Sequence, residues 1–328
     1  MKKLPLCMAI SHYDIVADLT SGRVPVEGVE LNCLNHEITD IFYRFLNHRE
    51  FDVSEMSFAK YASMVSQGDD SLIAIPVFPS RIFRHSCIYV RRDGPIRKPA
   101  DLKGRSIGIP EWAQTAQLFA RGFLTHQYGV DLRSINWIQG GINEPGRKEK
   151  VALKLPPGVQ VTIEAERAMS DMLLSGEIDA VMSAHPPACF EHDPANVGRL
   201  FEDYMTVEKE YYNATKIFPI MHLVAIRREI VDAHPWVAVN LYRSFCQARE
   251  RCIERALYID ASRFPIPWGH ELAAQAQRTF GQLWPYGIEA NRVTLEAGLQ
   301  FAFEQGICHR QLRPEELFAK QIQGHYRT

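Results

Sequence analysis

Two arginines and a histidine, Arg81, Arg84 and His85, share a short loop with Phe78, Pro79 and Phe83. Arginine's planar fork grips a carboxylate through paired N–H bonds, and imidazole exchanges protons near neutral pH. Together they suit capture of an organic anion followed by proton transfer, a step to which a positioned acid contributes typically ~10²–10⁴-fold. The plain alternative is a solvated basic turn; the flanking rings and proline favour a fixed loop against a ligand. His185 follows Met182-Ser183-Ala184 and is held by Pro186-Pro187, which reads as a pocket lip. His222 lies in the apolar stretch Phe218 to Val224 and reads equally as a satisfied core histidine or a functional one. His12 closes the first apolar run, either as a ligand contact or as a strand-end histidine bonded to backbone. Ser57 and Thr115 stand at helix starts, where they cap the helix or help free N–H groups hold a carboxylate. Trp112 suits ring stacking or plain core. The candidate catalytic groups are therefore His85, His185, His222 and His12; the candidate substrate-binding groups are Arg81, Arg84, Ser57, Trp112 and Thr115.

Positioning these groups is work for an α/β chain, since short apolar runs alternate with helical periodicity. Leu4–Ile10, Val29–Leu34, Asp52–Met56, Leu72–Val77, Cys87–Val90, Ser106–Ile109, Ile178–Met182 and Met221–Ile226 read as strands. Helices are expected over Glu37–His48, from Ser57, over Gln114–Tyr128 and over Glu166–Leu174, with mostly helical sequence at the end. Cys87–Val90 and His222–Ile226 are alike, and each is followed by paired arginines. They are taken as crossover strands between two lobes: residues 1–90 with 224–328, and residues 91–223.

A net charge of −2 over 328 residues implies no bulk attraction to nucleic acid or anionic lipid. Leu4 to Ile10 contains Pro5 and ends at Ser11-His12-Tyr13-Asp14, so a buried strand is expected there rather than an export signal. No run approaches the ~18 apolar residues of a membrane span. Seven cysteines without a CxxC pair fit a reducing, cytoplasmic setting. There is no GxSxG, Walker A, HExxH or GxGxxG pattern, and neither Cys189/Glu191/His192 nor Cys308/His309 has metal-ligand spacing. No metal and no cofactor are expected.

Asp101-Leu102-Lys103-Gly104-Arg105-Ser106-Ile107-Gly108-Ile109 and Leu173-Leu174-Ser175-Gly176-Glu177-Ile178-Asp179-Ala180 resemble segments of type II solute-binding proteins. More specific are Arg49 to Ser57, Ile75 to Ser86, Glu144-Pro145-Gly146-Arg147 and Ile217 to His222, which resemble the 4,5-dihydroxyphthalate decarboxylase family. The resemblance spans nearly the whole chain. It implies a two-lobed, type II periplasmic-binding-protein-like fold with the ligand cleft between lobes, acting on a small aromatic dicarboxylate as a homo-oligomer. Family members often place Arg where this chain has His185, and a basic residue where it has Ile15.

The implied reaction is loss of CO2 from a hydroxylated phthalate. It needs a clamp for the spectator carboxylate, an acid at the ipso carbon and a polar partner for the phenol. Arg81 and Arg84 are expected in the clamp, and one of the four histidines as the acid. The competing expectation is a non-catalytic protein that captures an aromatic acid.

Overall fold

The computed structural model describes residues 2–323. Its strands are β1 (Leu4–Ile10), β2 (Val29–Asn35), β3 (Val53–Ser57), β4 (Leu72–Ile75), β5 (Ile88–Arg91), β6 (Ser106–Ile109), β7 (Asn136–Gln139), β8 (Val161–Ile163), β9 (Ala180–Met182), β10 (Val197–Arg199) and β11 (His222–Arg227). They form two sheets, ordered β2-β1-β3-β11-β4 and β10-β5-β9-β6-β7-β8. Each sheet is the centre of one lobe.

In the first sheet β1, β2 and β3 run parallel, while β11 is antiparallel to both β3 and β4. The second sheet repeats the plan: β6 pairs in parallel with β7 and β9, and β5 is antiparallel to β9 and β10. The antiparallel member of each sheet is the strand reached as the chain changes lobe, as the similarity of Cys87–Val90 and His222–Ile226 suggested. Leu4–Ile10 is an interior strand between β2 and β3, with Met8, Ala9 and Ile10 wholly buried.

This topology decides where chemistry can occur. In parallel α/β sheets, ligands collect beyond the carboxyl ends of the strands. Tyr13 follows β1, Ser57 ends β3, Thr115 follows β6 and His185 follows β9, while antiparallel β11 begins at His222. All five therefore face the gap between sheets. Register reinforces this, because His222 pairs directly opposite Ser57.

The C-terminal segment packs on both lobes. Phe318 bridges to Ala74 of β4. The helix Arg292–Glu304 crosses behind the cleft, with Gly298 against both Phe58 and Phe119, one aromatic from each lobe. That contact backs the helices Phe58–Ser66 and Thr115–His126, whose N-terminal ends open on the gap.

Candidate functional site

A cavity of about 520 Å³ lies between the lobes, a volume in the range of small-ligand sites. Three helices begin at its wall: Ile38–His48 at Glu37, Phe58–Ser66 at Ser57 and Thr115–His126 at Gln114. Their N-terminal dipole ends favour anions. Lys60, Arg81, Arg84, Arg147 and Lys150 also line it, against a single carboxylate, Glu37. A cavity so charged is built for an anion. A separate pocket of about 380 Å³ beside β5 and β10 is lined by four arginines. Those arginines are committed: Arg91 to Asp93, Arg92 to Glu202, and Arg97 and Arg199 to backbone carbonyls.

His222 and His185 line the interlobe cavity, with Ser57, Thr115, Arg81 and Arg84. His222 is the best ordered of these for proton transfer. Its Nδ1 stands 2.6 Å from Oε1 of Glu55, and Phe42 meets its ring edge-on at 5.0 Å. Glu55 is fully buried in β3. The Ser11 N–H donates to its Oε2 at 3.0 Å and the Tyr13 hydroxyl to its Oε1 at 2.6 Å. Burial, and then the Glu55 charge, push the Tyr13 phenol up, so it remains a donor. A carboxylate that accepts from an amide and a phenol must also accept from the ring, which places a proton on Nδ1. Nε2 is then the nitrogen left to exchange a proton with a ligand.

His185 is exposed at the lip, shared with an adjoining cavity of about 460 Å³ that runs along Gly141 to Arg147. Ser57 occupies the N-cap position, yet its hydroxyl does not cap the helix; it meets the Thr115 hydroxyl at 2.9 Å across the gap. Thr115 Oγ1 also accepts the Ala59 N–H at 3.1 Å. Arg84 is half-buried and makes no ion pair among the described residues, its Nε reaching Met221 Sδ at 3.3 Å. Burial lowers its pKa.

Four expected residues are placed otherwise. Arg81 touches the cavity, but its Nη1 donates to Asn291 Oδ1 at 2.7 Å and Pro285 O at 3.3 Å, and its Nη2 to Phe218 O at 2.7 Å. Its guanidinium also lies 4.4 Å from the centre of the Phe218 ring. Most of the fork is thus spent inside the protein, and burial lowers its pKa to about 9. Trp112 is core: it donates Nε1–H to Gln305 O at 2.8 Å and lies under the Arg121 guanidinium at 3.8 Å. His12 is exposed and outside the cavity lining.

His85 does not reach the cavity either. It stacks on Phe123 at 3.9 Å, enclosed by Phe201 and Tyr211. Among the described residues neither ring nitrogen has a hydrogen-bond partner, Glu208 Oε1 standing 3.9 Å from Nδ1, and burial depresses its pKa to about 4. It is neutral near pH 7 and has no proton to give. Glu208 accepts the His85 backbone N–H at 3.1 Å, and its own pKa is raised to about 7 by burial. The two groups act oppositely on stability. Between about pH 4 and 6.5 the unfolded chain protonates His85 more readily than the folded one, so its contribution is lost as pH falls. Between about pH 4.5 and 7 the folded chain holds the Glu208 proton more tightly, so that contribution is lost as pH rises. We expect His85→Phe to lose less stability than wild type on acidification from pH 6.5 to 4.5, and Glu208→Gln to lose more. Urea titrations at several pH values measure both slopes; unchanged slopes contradict the assignment.

Sequence reasoning missed Glu55, Tyr13, Lys60, Lys150 and Glu111 as site groups. A signal existed for two of them. Glu55 stands between Val53 and Met56 in a strand buried at every position, and Lys60 sits among Phe58, Ala59, Tyr61 and Ala62, all buried. Charges in such settings need partners, which marks them for attention. Among the described residues no three His, Cys, Asp or Glu side chains group as metal ligands.

Over 97% of its length the chain is 37% identical to a 4,5-dihydroxyphthalate decarboxylase of Comamonas testosteroni, covering 97% of that protein. The chain belongs to the 4,5-dihydroxyphthalate decarboxylase family. A relative of the same name from Pseudomonas putida is 39% identical over 65% of this chain and 83% of its own. No family model matches. Among solved structures, the periplasmic aliphatic sulphonate-binding protein SsuA of Escherichia coli aligns with a TM-score of 0.54 at 14% identity, covering 98% of this chain and 99% of that one. A sulfonate-binding protein from Methylobacillus flagellatus gives 0.57 at 11% identity, over 97% and 92% of the two chains. At such identity the likeness speaks for the two-lobed type II fold alone. Family members thus carry a decarboxylase name on the fold of a solute-binding protein.

Proposed function

We propose that the protein removes one carboxyl group from 4,5-dihydroxyphthalate, releasing CO2 and 3,4-dihydroxybenzoate. The observation that supports this most is the Glu55–His222 pair, set in the wall of an otherwise cationic cavity. A capture protein needs the cations; a buried carboxylate holding an imidazole at the cavity wall adds a group suited to proton transfer.

Direct loss of CO2 would leave a carbanion in the ring plane, where the π system cannot delocalise it. A hydroxyl para to the carboxylate opens another route. Among the described residues that line the cavity, Glu37 is the carboxylate that can take the phenolic proton. The phenolate then pushes electron density to the ipso carbon, which accepts the Nε2 proton of the doubly protonated His222 ring, leaving the neutral ring with its Nδ1 proton toward Glu55. A C–H bond forms there and the ring becomes a dienone. The ring–carboxylate bond breaks, its electron pair returns to the ring as phenolate, and CO2 departs. Reprotonation of the phenolate gives the catechol acid. The electrons come from the substrate's own hydroxyl, so no cofactor is required. Glu55 supplies the counter-charge while the imidazole is protonated, and the cations hold the dicarboxylate in place. A cytoplasmic setting is part of this reading; it is supported by seven cysteines present as thiols.

Turnover should require a hydroxyl para to a carboxylate. With 4,5-dihydroxyphthalate we expect stoichiometric CO2 and 3,4-dihydroxybenzoate, read by chromatography. Phthalate, which lacks the hydroxyl, should bind and not react. Binding of both compounds without turnover of either makes this a capture protein.

A further inference from the structure

Glu111, just beyond β6, is wholly buried, yet three cations converge on it. Lys60 Nζ lies 2.8 Å from Oε2, Arg147 Nη2 2.8 Å from Oε1, and Lys150 Nζ 3.6 Å from Oε1. Arg147 Nε also donates to Oε1 at 2.8 Å. Three positive charges thus share the one carboxylate in direct contact with them, and Glu149, the second carboxylate close enough to act on Lys60, still leaves the cations in excess. All three cations line the interlobe cavity, and Glu111 does not. Lys60 is 5% exposed, and burial lowers its pKa while the Glu111 charge opposes that shift. A buried ammonium in an under-compensated cluster costs free energy that a ligand anion recovers. Lys60 comes from one lobe and Arg147 and Lys150 from the other, so an anion there touches both.

The cluster is also within reach of the proton donor. Lys60 stands one helical turn beyond Ser57, and Ser57 is the strand partner of His222. Ortho carboxylates on one ring can therefore be shared between the two places.

We propose that Lys60, Arg147 and Lys150 form the subsite for the carboxylate that stays on the ring, so that the departing one is presented beside Arg84 and His222. This rests on the decarboxylase reading and assigns its spectator clamp, which the sequence alone had put on the Arg81 loop. Glu111 is a positioning residue that keeps the cations gathered.

Phthalate and catechol are the probes, the first with both carboxylates and the second with none. Their binding to Lys60→Met and Lys150→Met is measured by calorimetry and compared with wild type. Loss of a charge-assisted contact should weaken phthalate roughly tenfold to hundredfold. Catechol should bind as before, which reports an intact cavity. Phthalate affinity within about twofold of wild type in either variant overturns the assignment. If Lys60→Met loses both ligands, the half-exposed Lys150→Met decides by the same criterion. Wild-type turnover of 4,5-dihydroxyphthalate is followed separately. Its failure would sink the decarboxylase reading, whereas phthalate binding tests the subsite either way.

Discussion

Replacing His222 by Gln should lower kcat by roughly 10²–10⁴-fold while KM stays within about threefold of wild type. The asymmetry follows from what the ring does. In the ground state its Nε2 sits beside an sp² carbon and holds nothing, so the substrate loses little on binding. In the transition state the proton is passing to that carbon, and only then does the imidazole matter. Gln fits the same space and can bond Glu55, but it has no proton of suitable acidity. His185→Gln should behave differently, because the lip residue is exposed, whereas His222 is backed by Glu55; its effect belongs in KM. A near-normal kcat in His222→Gln, with a collapsed kcat in His185→Gln, would exchange the two roles.

Glu55→Gln should cost on the order of 10²-fold or more in kcat, as when the carboxylate behind a catalytic histidine is neutralised and the ring takes the wrong tautomer. The Gln amide can turn an N–H toward Nδ1, which drives the ring proton to Nε2 but leaves the cation without a counter-charge. Tyr13 and the Ser11 amide would also face a neutral partner instead of a carboxylate. Because Glu55 is fully buried, the variant's fold needs its own readout, and phthalate binding provides one. Retained phthalate affinity with lost kcat identifies a defect of chemistry. Wild-type kcat in Glu55→Gln would mean that the pair is merely structural.

Hydrophobic periodicity made the α/β elements legible, while the two-lobed type II architecture came from the resemblance to solute-binding proteins. β1, β6 and the helix after Gln114 fall where their patterns predict. β7, β8 and β10 did not register, since Asn136–Gln139 has four residues and Val161–Ile163 and Val197–Arg199 three each, too short for an alternation to be read. They exist because a neighbouring edge accepts them: β7 lies along β6, β8 along β7 and β10 along β5. The site was less legible, for a physical reason. Sequence shows which residues are chemically able, but not which are already spent. Arg81 has the right chemistry and gives its donors to Asn291 and two carbonyls; His85 has the right ring and is sealed among aromatics. His222, among apolar neighbours, read equally as a core histidine or a functional one. Only the strand register that sets β11 against β3 brings it to Glu55.

The central claim is that carbon is protonated where CO2 departs. The direct measurement is turnover of 4,5-dihydroxyphthalate by the pure protein in D2O, with the product read by proton NMR. The product should be 3,4-dihydroxybenzoate carrying one deuterium, at the ring carbon that lost its carboxylate and lies para to a hydroxyl. Little or none of it should form with His222→Gln over the same interval. Unreacted substrate in the wild-type sample, or a product without deuterium at that carbon, would contradict it.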